Sequence, residues 1–345
     1  MKDWFRRHAL HRPSGSAEAP AAEVDESPRS DTEAVVPAPD VPEDLWERCP
    51  QCRELLYARE LQRNLQVCQK CGHHGRLTAA ERIEQLTDPG TWHELDANLI
   101  ASDPIGFVRP GRESYSAKLT EEIAAYNQRT SRVQPETDSR SVASSAAPLL
   151  REAAVYGTTE VAGNAVVLAV LDSYFFAATM GTVVGEKVAR AAELASRLGQ
   201  PLVAVSASGG ARQDEGIFAL LQMAKTTAAL ARLAEARIPY VSVLTDPTLA
   251  GVTASFASQA DCIIAEPGAV IGFAGPRLIE QIMHEKLPAD ADTAEFQRAH
   301  GMVDMVVARQ SLKTTVGRVL RLYLDARLAA ADSAATASSM ALVGS

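Results

Sequence analysis

Two stretches of this 345-residue chain hold residues spaced for chemistry. The first is Cys49-Pro-Gln-Cys52, followed after a fifteen-residue spacer by Cys68-Gln-Lys-Cys71. Each CxxC turn points two thiolates at one ion, and a short hairpin in the spacer is expected to bring the two turns together. Four thiolates fill the tetrahedral shell of Zn2+ and leave no open position, which makes the site structural. A module of about thirty residues has little core of its own, so the metal supplies its folding energy. His73 and His74 follow the last cysteine and are expected at the surface, since four cysteines already satisfy the ion.

The second stretch is Ser206-Ala-Ser-Gly-Gly-Ala-Arg212. The apolar run Leu202–Val205 leads into it and a helical pattern from Gln213 follows it. Gly209 and Gly210 lack a Cβ, so a ligand can approach their backbone closely. A helix start behind them adds partial positive charge. Such a turn can hold an oxyanion, for example the enolate of a thioester. A plain β-to-α bend uses the same residues, and this stretch alone leaves both readings open.

Composition bounds what can surround these sites. The hydrophobic fraction is 46% and the charged fraction 22%, so a sizeable core is expected. The formal charge of −9 argues against a broad nucleic-acid-binding face. Between Asp44 and Ala80, six Arg and Lys side chains meet four carboxylates and the two excess negative charges of a zinc ion held by four thiolates. These cancel, which leaves room only for weak nucleic-acid binding. No run reads as a membrane span, no apolar segment at the N-terminus reads as a secretory signal, and paired cysteines indicate a reducing compartment; the expected location is the cytoplasm.

The elements that must position the two sites follow in order. Residues 1–43, rich in Ala, Pro, Ser and Glu, read as a disordered extension, and 44–76 as the zinc ribbon. Thr78 with Glu81 forms a capping box that opens a helix to Leu86. A second helix is expected over 114–127 and a flexible loop over 128–150, so that 77–152 is a helical linker region. The large domain spans 153–328. It opens with a hairpin through Gly163-Asn164 and then alternates helix and strand, implying a mostly parallel sheet with helices packed on it. Residues 329–345 read as a flexible tail.

The large domain has no histidine from Ala153 to Met283, and Cys262 reads as a buried small hydrophobe. No G-x-S-x-G, G-x-G-x-x-G or Walker pattern is present. What remains is chemistry carried by backbone dipoles and by the substrate's own groups. Asp214 and Glu215 read as helix-dipole acids and Asp246 as a turn residue.

Cys49–Gly72, Ser206–Arg212, Gln222-Met-Ala-Lys225, Ser242–Thr248 and Ile271-Gly-Phe-Ala-Gly-Pro-Arg277 together closely resemble the carboxyltransferase β subunit of bacterial acetyl-CoA carboxylase, collinearly over about residues 44–325. The resemblance implies an α/β fold, a crotonase- or ClpP-like ββα spiral domain behind a small four-cysteine zinc ribbon. It implies an α2β2 assembly with a carboxyltransferase α subunit. It also implies work with biotin carboxylase and a biotin carboxyl carrier protein, whose carboxybiotin gives CO2 to the thioester acetyl-CoA in fatty acid biosynthesis. It places Gly209 and Gly210 in an oxyanion hole and substrate contacts at Met180, Gly181, Arg212, Gly275 and Arg277. Lys187, Arg212, Lys225 and Arg277 are the candidate cations for coenzyme A, each with a structural alternative.

Two other readings compete: a malonate-decarboxylase-type or other acyl-CoA subunit, and a non-catalytic zinc protein that binds RNA or regulates an assembly. Departures from the family pattern give them substance. Ala177-Ala178-Thr179 stands where Gly-Gly-Ser is expected, and Leu249-Ala250-Gly251 where Met-Gly-Gly is expected. Gln213-Asp214 replaces Met-Gln, and the loop near 128–150 is an insertion. They suggest a divergent paralogue.

Overall fold

The computed structural model describes residues 45–106, 108, 110–111, 113–132, 150–274, 280–281, 284, 288 and 290–343. The extension, most of the 128–150 loop, Gly275, Arg277 and most of the helix expected after Pro276 lie outside the described residues.

In the ribbon, β1 (Trp46–Arg48) pairs antiparallel with β2 (Leu55–Tyr57). This hairpin encloses the first CxxC turn, whereas the sequence placed it between the two turns. The spacer instead folds into α1 (Ala58–Arg63), whose Ala, Glu, Leu, Gln and Arg are good helix formers. The linker carries α2 (Ala79–Leu86), the short β3 (His93–Leu95) and α3 (Tyr115–Arg132). The predicted capping box is present: Thr78 Oγ1 accepts from Glu81 N–H and the Glu81 carboxylate accepts from Thr78 N–H.

The central sheet runs β10–β8–β7–β6–β5–β4–β3, with β9 attached to β7. Its strands are β4 (Ala154–Val161), β5 (Asn164–Leu171), β6 (Leu202–Ser208), β7 (Tyr240–Leu249), β8 (Cys262–Ala265), β9 (Ile271–Gly272) and β10 (Met305–Val306). The β4–β5 hairpin is antiparallel, and β5, β6, β7, β8 and β10 are parallel. The parallel strands open on apolar runs, such as Leu202–Val205 of the wholly buried β6, because both faces are covered.

Two helices, α4 (Thr182–Leu198) and α5 (Ile217–Glu235), lie side by side. They approach at Gly185, where a Cβ would sit 2.4 Å from Gln222 Oε1. The short α6 (Ala250–Thr253) and α7 (Ala294–Ala299) follow. The last helix, α8, runs from Arg309 to Val343, so the expected tail continues a helix. Among the described residues, α5 is by length and composition alone long and apolar enough to cross a membrane, a test that the core helix of a soluble protein also passes. Gln222 and Thr226 are nevertheless buried on its α4 side, while Ile217, Leu220 and Leu221 stay exposed.

Candidate active site and zinc centre

The Ser206–Arg212 loop leaves the C-terminal end of β6 and is bound to the segment 176–180. Gly209 N–H donates to Ala177 O (2.8 Å), and Ser208 Oγ donates to Ala178 O (2.6 Å). Met180 N–H donates to Gly210 O (2.7 Å) and Arg212 N–H to Met180 O (3.0 Å). Gly210 N–H turns back onto Ser208 Oγ (3.1 Å). The N–H groups of Gly209 and Gly210, expected to face an oxyanion, are therefore both held inside the protein here.

The two glycines differ. Gly210 is buried at φ +111°, and a Cβ there would lie 2.7 Å from Ala250 Cβ. Only glycine fits. Gly209 is exposed, and a Cβ would meet nothing closer than Ala177 at 3.5 Å. The fold leaves room for a side chain at Gly209 and none at Gly210. The expected helix start also moves. A 3-10 turn fills Gln213–Glu215, Gly216 breaks the chain at φ +53°, and α5 begins only at Ile217. The loop thus does not sit directly on the dipole of α5.

Both segments beside the loop hold left-handed alanines. Phe176, Ala177 and Ala178 have φ of 45°, 50° and 46°, and Ala250 has φ of 52°. An L-residue there costs about 1–2 kcal/mol. The three alanines stand where the resemblance leads one to expect glycine.

Three of the expected substrate contacts, Met180, Gly181 and Arg212, are engaged within the protein. Met180 is fully buried, and its backbone is used by the loop. Gly181 makes room for a carboxylate: a Cβ would lie 2.2 Å from Glu215 Oε1, and Glu215 Oε2 accepts from Thr182 N–H at the start of α4 (2.6 Å). Arg212 is 2% exposed and grips Glu152 through both ends of its guanidinium (2.7 and 2.6 Å). A buried, bidentate guanidinium has no face left for a phosphate. Of the other cations, Lys187 is buried with its ammonium on Ala154 O, and Lys225 pairs with Glu186. Burial pulls the Lys187 pKa down, opposed by Glu94. Asp246 lies within β7 and not at the turn expected, its carboxylate accepting from Val270 N–H (3.2 Å), and Cys262 is buried, which pushes its thiol up to about 11.

The ribbon passes a direct test of fit to zinc. The four sulfurs lie within 4.8 Å of one another, with Cys49–Cys71 at 3.7 Å and Cys52–Cys68 at 3.8 Å. A tetrahedron with Zn–S bonds of about 2.3 Å has sulfur edges of about 3.8 Å. The ribbon is clamped to the sheet domain by residues that the sequence reading did not single out. Arg309, at the start of α8, donates to Leu65 O in the ribbon (2.6 Å) and to both oxygens of buried Glu266 (2.9 and 2.5 Å). Arg82 of α2 takes the same carboxylate (2.6 Å). His74 is buried, not at the surface as expected: Nε2 accepts from Arg309 N–H (3.3 Å) and Nδ1 faces Gly72 O.

The chain is similar to known proteins in both of its parts. A family model described as "Carboxyl transferase domain" matches residues 119–335, and one described as "Acetyl-CoA carboxylase zinc finger domain" matches 46–71. The acetyl-coenzyme A carboxylase carboxyl transferase subunit beta of Chloroflexus aurantiacus is 50% identical over 283 residues, 82% of this chain and 85% of that protein. The chain belongs to the acetyl-CoA carboxylase carboxyl transferase β-subunit family. Another β-subunit relative, from Desulforamulus reducens, is 48% identical over 82% of this chain and 89% of its own. A β subunit 2 from Roseiflexus castenholzii is 47% identical over 88% and 93%. The transcarboxylase 12S structure overlays with a TM-score of 0.56 at 20% identity, covering 76% of this chain and 42% of that one. A single-chain, multi-domain long-chain acyl-CoA carboxylase gives 0.53 at 27% identity over 75% and 22%. The β-subunit family thus supplies the crotonase-type carboxyl transferase fold and the ribbon that the sequence anticipated.

Proposed function

We propose that this chain is the β half of a carboxyltransferase that moves CO2 from carboxybiotin to acetyl-CoA, forming malonyl-CoA. The observation that carries the reading is the family match over both the ribbon and the domain that holds the exposed, Cβ-free Gly209. Carboxybiotin brought on the carrier would supply CO2 by loss of the carboxyl group from its ureido nitrogen, which could then accept the acetyl proton while the enolate carbon bonds to that CO2. This route suits a domain without histidine from Ala153 to Met283. The role of this chain is to hold the developing enolate oxygen, or the biotin carbonyl, at the Gly209–Gly210 loop. There the ligand oxygen takes the place of the Ala177 carbonyl on Gly209 N–H.

The partners are a carboxyltransferase α subunit, the biotin carboxyl carrier protein and biotin carboxylase, working in the cytoplasm. The exposed Ile217, Leu220 and Leu221 of α5 support an α-subunit contact, since an apolar stripe of this kind marks an interaction site. The test is a coupled assay with the α subunit, biotinylated carrier, biotin carboxylase, ATP and bicarbonate. Malonyl-CoA formation that Gly209→Val abolishes, in an intact complex, is the expected result. A zinc-loaded complex that leaves acetyl-CoA untouched would defeat the reading.

A second substrate is favoured by one observation. Ala177 and Ala250 place methyl groups beside the loop. If they reshape the pocket for another acyl-CoA, a propionyl or longer thioester will outcompete acetyl-CoA in the same assay.

A further inference from the structure

A buried polar cluster joins the loop to a helix whose first turn lies outside the matched carboxyl transferase domain. Tyr115, the first residue of α3, precedes that domain's first matched residue, 119. Its hydroxyl donates to Glu215 Oε1 (2.7 Å) and accepts from Arg212 Nη1 (2.9 Å). The remaining Arg212 donors go to Glu152 and to Thr179: Nη2 to Thr179 O (2.9 Å) and Nε to Thr179 Oγ1 (3.2 Å). All five guanidinium N–H bonds thus have an acceptor. Phe176 lies under the same guanidinium, 5.1 Å from its ring centre. Tyr115, Glu152, Arg212 and Glu215 are all buried.

The charges show why a hydroxyl stands at the centre. Two carboxylates surround one guanidinium. Glu152 is matched by Arg212 and by Ala153 N–H (2.7 Å). Glu215 faces Thr182 N–H at the start of the seventeen-residue α4, with Arg212 Nη1 3.6 Å away. Tyr115 stands between Arg212 and Glu215 and binds both. Without its hydroxyl the two opposite charges close on each other. Glu215 then leaves the α4 terminus, and Arg212 rotates away from Thr179. Arg212 closes the loop and ties it to the facing segment 176–180: its own N–H is on Met180 O, and its side chain is on Thr179, next to the turn that sets Ala177 O on Gly209. A shift of Arg212 therefore reaches both Gly209 and Ala177.

We infer that Tyr115, acting through Arg212, is a positioning residue that fixes the Gly209–Gly210 loop for carboxyl transfer. The inference rests on the proposed function for its kinetic consequence but not for its structural one. The experiment uses the full chain assembled with its α subunit, carrying Tyr115→Phe, which keeps the ring. Amide hydrogen exchange across residues 206–213 is expected to speed up about tenfold, while exchange in the ribbon and zinc content stay as in wild type. In the coupled assay kcat is expected to fall about tenfold with the KM for acetyl-CoA within about twofold, the pattern of a lost transition-state alignment. Loop exchange within about twofold of wild type overturns the inference, and so does a KM that rises while kcat holds. A wild-type complex without carboxylation sinks the proposed function instead, and the exchange result then decides the positioning claim alone. Should Tyr115→Phe fail to fold, Thr179→Val isosterically removes the acceptor of Arg212 Nε, together with the bond that the same hydroxyl donates to Phe176 O (2.9 Å). It is expected to loosen the same loop, and a loop as protected as in wild type overturns the inference equally.

Discussion

At the scale of single residues, glycines that look alike in sequence have different jobs. Gly210 is fixed by a left-handed backbone and by Ala250 Cβ, so Gly210→Ala is expected to lower stability by about 1–3 kcal/mol. Gly209 has room for a methyl group, so Gly209→Ala is expected to leave the unfolding midpoint within about 0.5 kcal/mol of wild type. Its kcat/KM is expected to fall at least tenfold, because the methyl group occupies the ligand's approach. Urea titration and the coupled assay on both variants check the contrast. Glu266 gives a second residue-level test. Burial raises its pKa, but Arg82 and Arg309 outweigh burial and hold the carboxyl at about 2, against an ordinary 4.5. The unfolded chain therefore binds the extra proton between those values, and the stabilisation is lost as pH falls through that window. Glu266→Gln is expected to cost about 3 kcal/mol at neutral pH, and its gap to wild type in urea midpoint is expected to narrow between pH 5 and pH 3.

At the scale of elements, the two connections that meet the β6 loop both carry backbone strain. The turn Phe176–Ala178 and the start of α6 at Ala250 both hold non-glycine residues at positive φ. Ala177→Gly or Ala250→Gly is expected to stabilise the chain by about 0.5–1 kcal/mol, the relief of left-handed strain less the added freedom of the unfolded chain. A thermal midpoint that drops on either substitution would show that the methyl group makes contacts worth more than the strain. The α4–α5 contact makes the opposite demand, since a Cβ at Gly185 meets Gln222 Oε1, Cβ and Cγ at 2.4–2.7 Å. Gly185→Ala is expected to cost about 1–3 kcal/mol by prising the helices apart, read from the urea midpoint.

At the scale of the molecule, the ribbon is held by its metal and by the Arg309–Glu266–Arg82 clamp together. The clamp sits on the sheet side, in α2, α8 and the residue after β8. Removing zinc with a chelator is therefore expected to release residues 46–75 without unfolding the sheet. Hydrogen exchange should rise across the ribbon and stay slow in β5, β6 and β7. Cooperative loss of the whole sheet on chelation would show instead that the ribbon is part of one folding unit.

The sequence by itself determined the zinc centre, the capping box, the β4–β5 hairpin, the β6 strand and the Gly-Gly turn. Each is a local matter: thiolate spacing, a side chain reaching three residues along, an apolar period, a missing Cβ. It also carried the family, because many short blocks stand in one order. The tertiary structure alone decided what the polar residues do. Arg212 reads as a free cation until Glu152, sixty positions away, closes on it; Tyr115 and Glu215 meet across a hundred positions. Gly181 reads as a substrate contact until a distant carboxylate is seen to fill its space. Gly209 and Gly210 read as a free pair of donors until Ala177 and Ser208 take their N–H groups. In each case the deciding partner is fixed by strand order and helix packing, and one-dimensional spacing holds no record of either.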